Sequence, residues 1–94
     1  MSIQILVKDR KGETLVTLQG IELNMTVYEF QKLFIRECVM ASKKKLYPER
    51  IRFTINESSG TAMADPTKPL SHYISEPMWL SEGIVTLYFK DLGP

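Results

Sequence analysis

The chain has 94 residues, 44% of them hydrophobic and 24% charged, with a net charge of +1 at pH 7. That is enough for one domain with a modest core, too ordinary in composition for disorder, and nothing suggests a repeat or low-complexity tract. A single cysteine, Cys38, excludes an internal disulfide, and with the single histidine, His72, it makes no plausible zinc set.

The apolar runs fall far short of the ~20 residues that span a bilayer, and Met1-Ser2 opens no signal peptide, so a soluble chain in a reducing, cytosolic setting is expected. The charge is uneven. Between Lys32 and Arg52 lie seven bases (Lys32, Arg36, Lys43, Lys44, Lys45, Arg50 and Arg52) against Glu37 and Glu49, so this segment is basic and the remainder acidic. Such a patch suits a solvated helix end and loop, an acidic partner or an anionic membrane surface.

Ile3, Ile5 and Val7 alternate with Gln4, Leu6 and Lys8, the period-two pattern of a strand with one face on a core. Asp9 to Gly12 supplies a turn in which Gly12 takes positive φ, and Thr14 to Leu18 pairs back as the second arm of a hairpin. Asn24-Met25-Thr26 then announces a helix. Thr26 caps it, Glu29 completes a capping box, and Met25 staples onto Phe30. At about 100° per residue, Val27, Phe30, Phe34, Cys38 and Ala41 share the face that packs on the sheet, with Leu33 and Met40 on its flank. The helix is expected to end near Ser42, where lysines 43 to 45 complement its dipole. Tyr28, Ile35 and Val39 fall on another side, either beneath a later loop or open to a partner.

Tyr47-Pro48-Glu49 turns the chain into a third strand, in which Ile51, Phe53 and Ile55 alternate with Arg52 and Thr54. Asn56 to Pro69, with Gly60 and two prolines, reads as a flexible excursion. Leu70 to Ile74 forms a helical turn capped by Ser71, and Met78-Trp79-Leu80 needs cover. The closing strand runs from Ile84 to Lys90, with Val85, Leu87 and Phe89 on one face and Ile84, Thr86 and Tyr88 on the other. The expected fold is therefore α+β: a β-grasp roll, a mixed sheet packed on one main helix.

The first strand, the turn ending at Gly12, the Thr26-capped helix and the last strand resemble ubiquitin in order and spacing, over nearly the whole chain. Two stretches make a narrower match. Leu46-Tyr47-Pro48-Glu49-Arg50 and Leu87-Tyr88-Phe89-Lys90-Asp91-Leu92-Gly93 are together similar to the N-terminal ubiquitin-like domain of very-long-chain trans-2-enoyl-CoA reductases, relatives of steroid 5-alpha-reductases that act in fatty-acid elongation. The resemblance implies a ubiquitin-like domain over residues 1–90 and a linker over 91–94 leading to a membrane-embedded, NADPH-dependent catalytic region. It implies a place on the cytosolic face of the endoplasmic reticulum. It assigns this chain no catalytic residue and no cofactor; Glu76 to Ser81, with Trp79, departs from the pattern.

Little in the residues points to chemistry. The glycines are too scattered to cradle phosphate, Cys38 falls on the buried helix face, His72 has no acid or nucleophile partner, and no carboxylates pair for acid–base work. Leu92-Gly93-Pro94 is not the free Gly-Gly that conjugation needs. An interaction domain is the expectation.

Its candidate surface is the open sheet face, with Lys8, Arg10, Arg52, Thr54, Tyr88 and Lys90. Where ubiquitin carries its aliphatic patch this face carries Arg10, Thr54 and Tyr88, so ordinary ubiquitin receptors should bind it poorly. A second candidate patch is Tyr28, Ile35, Val39 and Trp79, suited to a free-standing adaptor. A third, Lys43, Lys44, Lys45 and Arg50, suits an acidic motif. The expected partner is a protein, other elongation enzymes included, or an anionic membrane surface, with neither nucleic acid nor metal.

Overall fold

A computed structural model of the chain describes residues 2–37, 47–55, 62–75 and 82–92. Four strands and one main helix make the fold: β1 (Ser2–Lys8), β2 (Thr14–Glu22), α1 (Val27–Glu37), β3 (Ile51–Ile55), a short α2 (Leu70–Tyr73) and β4 (Ile84–Asp91). A 3-10 turn, Pro48–Arg50, leads into β3. The sheet order is β2-β1-β4-β3. β1 pairs antiparallel with β2 and parallel with β4, and β4 pairs antiparallel with β3. This is the mixed α+β roll that the element order predicts.

Local chemistry explains the joints. Asp9 Oδ1 accepts the amides of Lys11 and Glu13, each at 2.9 Å, and Gly12 takes φ 88°, which closes the first hairpin. β2 extends beyond the expected Leu18 to Glu22. Ile3 lies opposite Ile21 whereas Ile5 lies opposite Leu18, so one extra β2 residue is accommodated where Gly20 adopts φ 67°. This bulge hides the period-two pattern and brings Ile21 into the core. The capping box forms as expected: the Glu29 amide donates to Thr26 Oγ1 at 3.1 Å, and the Thr26 amide donates to Glu29 Oε1 at 3.1 Å. The Thr26 amide and the Thr26 hydroxyl both donate to Glu29 Oε1, which holds the Glu29 carboxyl below its ordinary 4.5.

The core lies between one face of the sheet and α1. Ile3, Ile5, Val7, Leu18 and Ile21 of the hairpin meet Val27, Phe30 and Phe34 of the helix, and Ile51, Phe53, Val85, Leu87 and Phe89 complete the sheet side. Phe53 sits edge-on to Phe30 and Phe34, with centroids 5.1 and 5.2 Å away, so aromatic packing fixes the helix over β3.

Three expectations need correction. Met63 falls in the stretch read as a flexible excursion, yet it is fully buried, and its amide donates to Phe53 O at 2.8 Å. A buried apolar side chain and a paired amide bind this segment to β3, although its composition is that of a loop. Ser71 does not cap α2: Pro69 occupies the N-cap position without a side-chain bond, and the Ser71 amide donates instead to Leu23 O. Ile35 half-buries against the core, the covered one of its two alternatives. The last strand continues through Asp91, opposite Ile51, and Leu92 N–H donates to Arg50 O at 2.8 Å, so pairing runs past the expected stop at Lys90.

The expected helix end near Ser42 lies outside the described residues, as do Cys38, Met40, Ala41, Gly60, Met78 and Leu80.

Candidate functional site

Period-two alternation puts Lys8 of β1, Arg52 and Thr54 of β3, and Tyr88 and Lys90 of β4 on the sheet face that α1 does not cover. The register then fixes who meets whom. Tyr88 stands on a central strand between Lys8 and Thr54, and Lys90 stands opposite Arg52. Arg10 joins them from the hairpin turn. Arg10, Arg52, Thr54, Tyr88 and Lys90 line one depression of about 420 Å³, with Ala62 and Leu92 also on its wall. The structure thus gathers five of the six residues expected on this face into one concavity, and places the sixth, Lys8, beside Tyr88.

The electrostatics are one-sided. Among the described residues, the depression is lined by three cations and no carboxylate. Lys8, Arg10 and Lys90 form no ion pair among the described residues. Arg52, which lines the depression, is steadied by its Nη1, which donates to Ile51 O at 2.8 Å and to Glu49 O at 3.2 Å. Acids do appear on the turn side, where Asp9, Glu13 and Asp91 surround a neighbouring hollow of about 410 Å³ together with Arg10, Lys11 and Lys90. Asp9 is already engaged by backbone amides.

The same face carries two apolar residues that the sequence reading did not include in the surface. Leu6, half-buried, precedes Lys8 by two positions, and Ile84, 46% exposed, precedes Tyr88 by four. Alternation alone puts Leu6 with Lys8 and Ile84 with Tyr88, so the signal was present in the chain. The face consequently has an aliphatic end at Leu6 and Ile84, a tyrosine in the middle and a cationic end at Arg10, Arg52 and Lys90.

The second candidate patch is not assembled in the same way. Tyr28 is exposed, with Lys32 Nζ 4.9 Å from its ring centroid, whereas Ile35 turns toward the core. Val39 and Trp79 lie outside the described residues. Of the third patch, Arg50 alone is described, and its Nη2 donates to Leu92 O at 3.3 Å; Lys43, Lys44 and Lys45 lie outside.

His72 is exposed, edge-on to the Tyr73 ring at 4.8 Å. The Tyr73 hydroxyl accepts the Asp65 amide at 2.9 Å, and Asp65 Oδ1 accepts from the Thr67 hydroxyl and amide, which holds the Asp65 carboxyl below its ordinary 3.8. This cluster ties the segment before α2 together. Among the described residues, no group of three or more His, Cys, Asp or Glu side chains is placed to hold a metal ion, and no helix is long and apolar enough to cross a membrane.

No protein-family profile and no curated protein matches the chain. Solved structures do match. A ubiquitin-fold protein from Arabidopsis thaliana superposes with a TM-score of 0.73 over 99% of this chain and 88% of its own, at 14% identity. The ubiquitin-like domain of another Arabidopsis thaliana protein gives 0.64, covering 98% of this chain and 79% of that chain, also at 14% identity. A de novo designed protein based on ubiquitin gives 0.60, covering 98% and 90%, at 21% identity. The fold is therefore the ubiquitin-like β-grasp.

Proposed function

We propose that this chain is a non-catalytic, ubiquitin-like interaction domain whose working surface is the open sheet face around Tyr88. The observation that carries this reading is the convergence of Arg10, Arg52, Thr54, Tyr88 and Lys90 on one concavity, with no carboxylate among its lining residues. Cations gathered with no carboxylate among the described lining residues raise the electrostatic energy of the isolated domain, and an acidic surface relieves it. A ubiquitin-like fold supports the reading only in a general way, because function resides in the site carried by a fold.

The parent is proposed to be an endoplasmic-reticulum very-long-chain enoyl-CoA reductase, with this domain on the cytosolic face and NADPH used by the membrane region alone. The support is the pair of stretches Tyr47-Pro48-Glu49-Arg50 and Tyr88-Phe89-Lys90-Asp91-Leu92-Gly93. In that setting the domain positions the enzyme or holds it to other elongation enzymes. Sequencing the coding region beyond Pro94 tests the parentage: several apolar spans of about 20 residues support it, and an immediate stop codon overturns it in favour of a free-standing adaptor.

A further inference from the structure

We infer that the depression on this face is a binding site for a small molecule carrying two adjacent phosphoryl groups, held by the Arg52 guanidinium of β3 and the Lys90 ammonium of β4, with Arg10 of the hairpin turn as the third cation. The inference rests on the sheet face being the working surface, and adds the chemical class of what that surface takes.

Three elements far apart in the chain supply the charge. Arg52 and Lys90 are partners in the β3–β4 ladder, which puts their β-carbons about 5 Å apart. Arg10 lines the same depression from beyond the end of β1. Among the described residues no carboxylate lines it, and neither Arg10 nor Lys90 forms an ion pair. Asp9, Glu13 and Asp91 border the neighbouring hollow, which Arg10 and Lys90 also line. Those two cations thus stand between acids on one side and the depression on the other, whereas Arg52 belongs to the depression alone.

Arg52 is the anchor. Its Nη1 donates to Ile51 O and Glu49 O, which occupies two of the five N–H donors of a guanidinium and orders the group without neutralising it. Two neutral carbonyls do here what a carboxylate ordinarily does, with the full charge retained. A side chain already ordered by its own backbone loses less entropy when an anion arrives. Phosphoryl groups suit such a cluster better than carboxylates. Each brings about 1.5–2 negative charges and three acceptor oxygens, so two of them roughly offset three cations, and the arginine fork can take two oxygens at once. Carboxylates, with one charge each, must converge from three separate positions to do the same. The space agrees, since about 420 Å³ lies within the roughly 300–1,000 Å³ of small-molecule sites. Tyr88 and Leu92 add apolar wall for the scaffold that carries the phosphates.

Isotope-labelled protein is titrated at physiological salt with inorganic pyrophosphate, a soluble inositol bisphosphate, sulfate and a hexaglutamate peptide. Phosphatidylcholine vesicles with and without phosphatidylinositol bisphosphate form a separate arm. Both soluble phosphates are expected to shift the amides of Arg10, Arg52, Tyr88 and Lys90 saturably, and to bind about tenfold or more tightly than sulfate. Vesicles that bind more tightly than the soluble bisphosphate assign the ligand to a lipid headgroup, and the reverse assigns it to a free phosphate; either supports the site. Arg52→Gln or Lys90→Gln is expected to weaken pyrophosphate binding about tenfold, and Arg52→Lys about threefold to tenfold, because a point charge replaces a fork. Lys32→Gln, on the helix that covers the other face of the sheet, should change nothing. The dispersion of the amide spectrum verifies folding in each variant. Equal affinity for sulfate and pyrophosphate, an equal loss in Lys32→Gln, or undiminished binding in Arg52→Gln each overturn the inference. Shifts with hexaglutamate and none with the phosphates remove the phosphate site and leave the face as an acidic-partner surface; shifts with neither remove both. The sequence beyond Pro94 bears on the parentage alone.

Discussion

Arg52 and Lys90 face each other directly across the antiparallel β3–β4 ladder. Like charges in that relationship destabilise a sheet, and opposite charges stabilise it, by about 0.2–1 kcal/mol per pair. Folding alone gives no reason for the arrangement. Lys90→Glu is therefore expected to raise the unfolding free energy by about 0.5 kcal/mol in urea denaturation at low salt. An unchanged or lowered midpoint contradicts the reading of this pair as a site kept at the expense of stability.

The Thr26–Glu29 capping box sets a second expectation. Thr26→Ala removes the acceptor for the Glu29 amide and should cost about 1 kcal/mol in denaturant titration. Glu29→Gln tests the charge separately, since an amide oxygen at this position still accepts the Thr26 amide.

Acid sensitivity follows from the same groups. The Glu29 and Asp65 carboxyls sit below their ordinary 4.5 and 3.8, each held chiefly by hydrogen bonds from Thr26 and Thr67 respectively. A depressed folded value means that the stabilising contribution is complete above the unfolded value and is lost as pH falls through the folded one. Stability is thus expected to decline from about pH 4.5 downward, and thermal unfolding of a Glu29→Gln, Asp65→Asn double variant should show a flatter acid limb. Parallel acid limbs in the two proteins exclude these groups as the cause.

Met63 tests whether the segment before α2 is part of the folded body. With its side chain fully buried and its amide bonded to Phe53 O, Met63→Ala should cost about 2–5 kcal/mol. Hydrogen exchange should show the Met63 amide protected to a degree near that of β3. Rapid exchange there, with a loss below about 1 kcal/mol, returns the segment to the status of a loop.

Much of this was legible in the chain because the local signals agree with the tertiary ones. Alternation in β1, β3 and β4, the capping box at Thr26 and the helical spacing of Val27, Phe30 and Phe34 all survive folding unaltered. The misreadings share a physical cause: each residue takes its partner from far along the chain. Gly20 shifts the phase of β2 and conceals Ile21. Met63 sits among small polar residues and becomes core only because β3 presents Phe53 to it. Ile84 and Leu6 were placed on the right face, but their position relative to Arg52 and Lys90 required the register between β1, β4 and β3.

Gln31 is the least legible residue, a buried amide on the core face of α1, four positions after Val27. Its Nε2 donates to Ile51 O at 3.2 Å, which ties the helix to the start of β3, while its Oε1 is buried without a partner among the described residues. One satisfied group and one orphan nearly cancel, so Gln31→Met is expected to change stability by less than about 1 kcal/mol. Gln31→Glu should be much worse at neutral pH and recover as the pH falls, because it buries a charge without a counter-ion.

The parallel pairing of β1 with β4 gives the domain a particular birth order. Gln4 meets Ile84, so β1 waits beside an empty place until β4, some eighty residues later, has left the ribosome. Before that, the hairpin and α1 hold the apolar residues of half a core with nothing to close it, and β3 has no neighbour in the sheet. Assembly is therefore gated by the arrival of the last strand, which delivers Val85, Leu87 and Phe89 to the interior and, in the same event, Tyr88 and Lys90 to the outer face. Until the domain is whole, it has nothing to offer a partner.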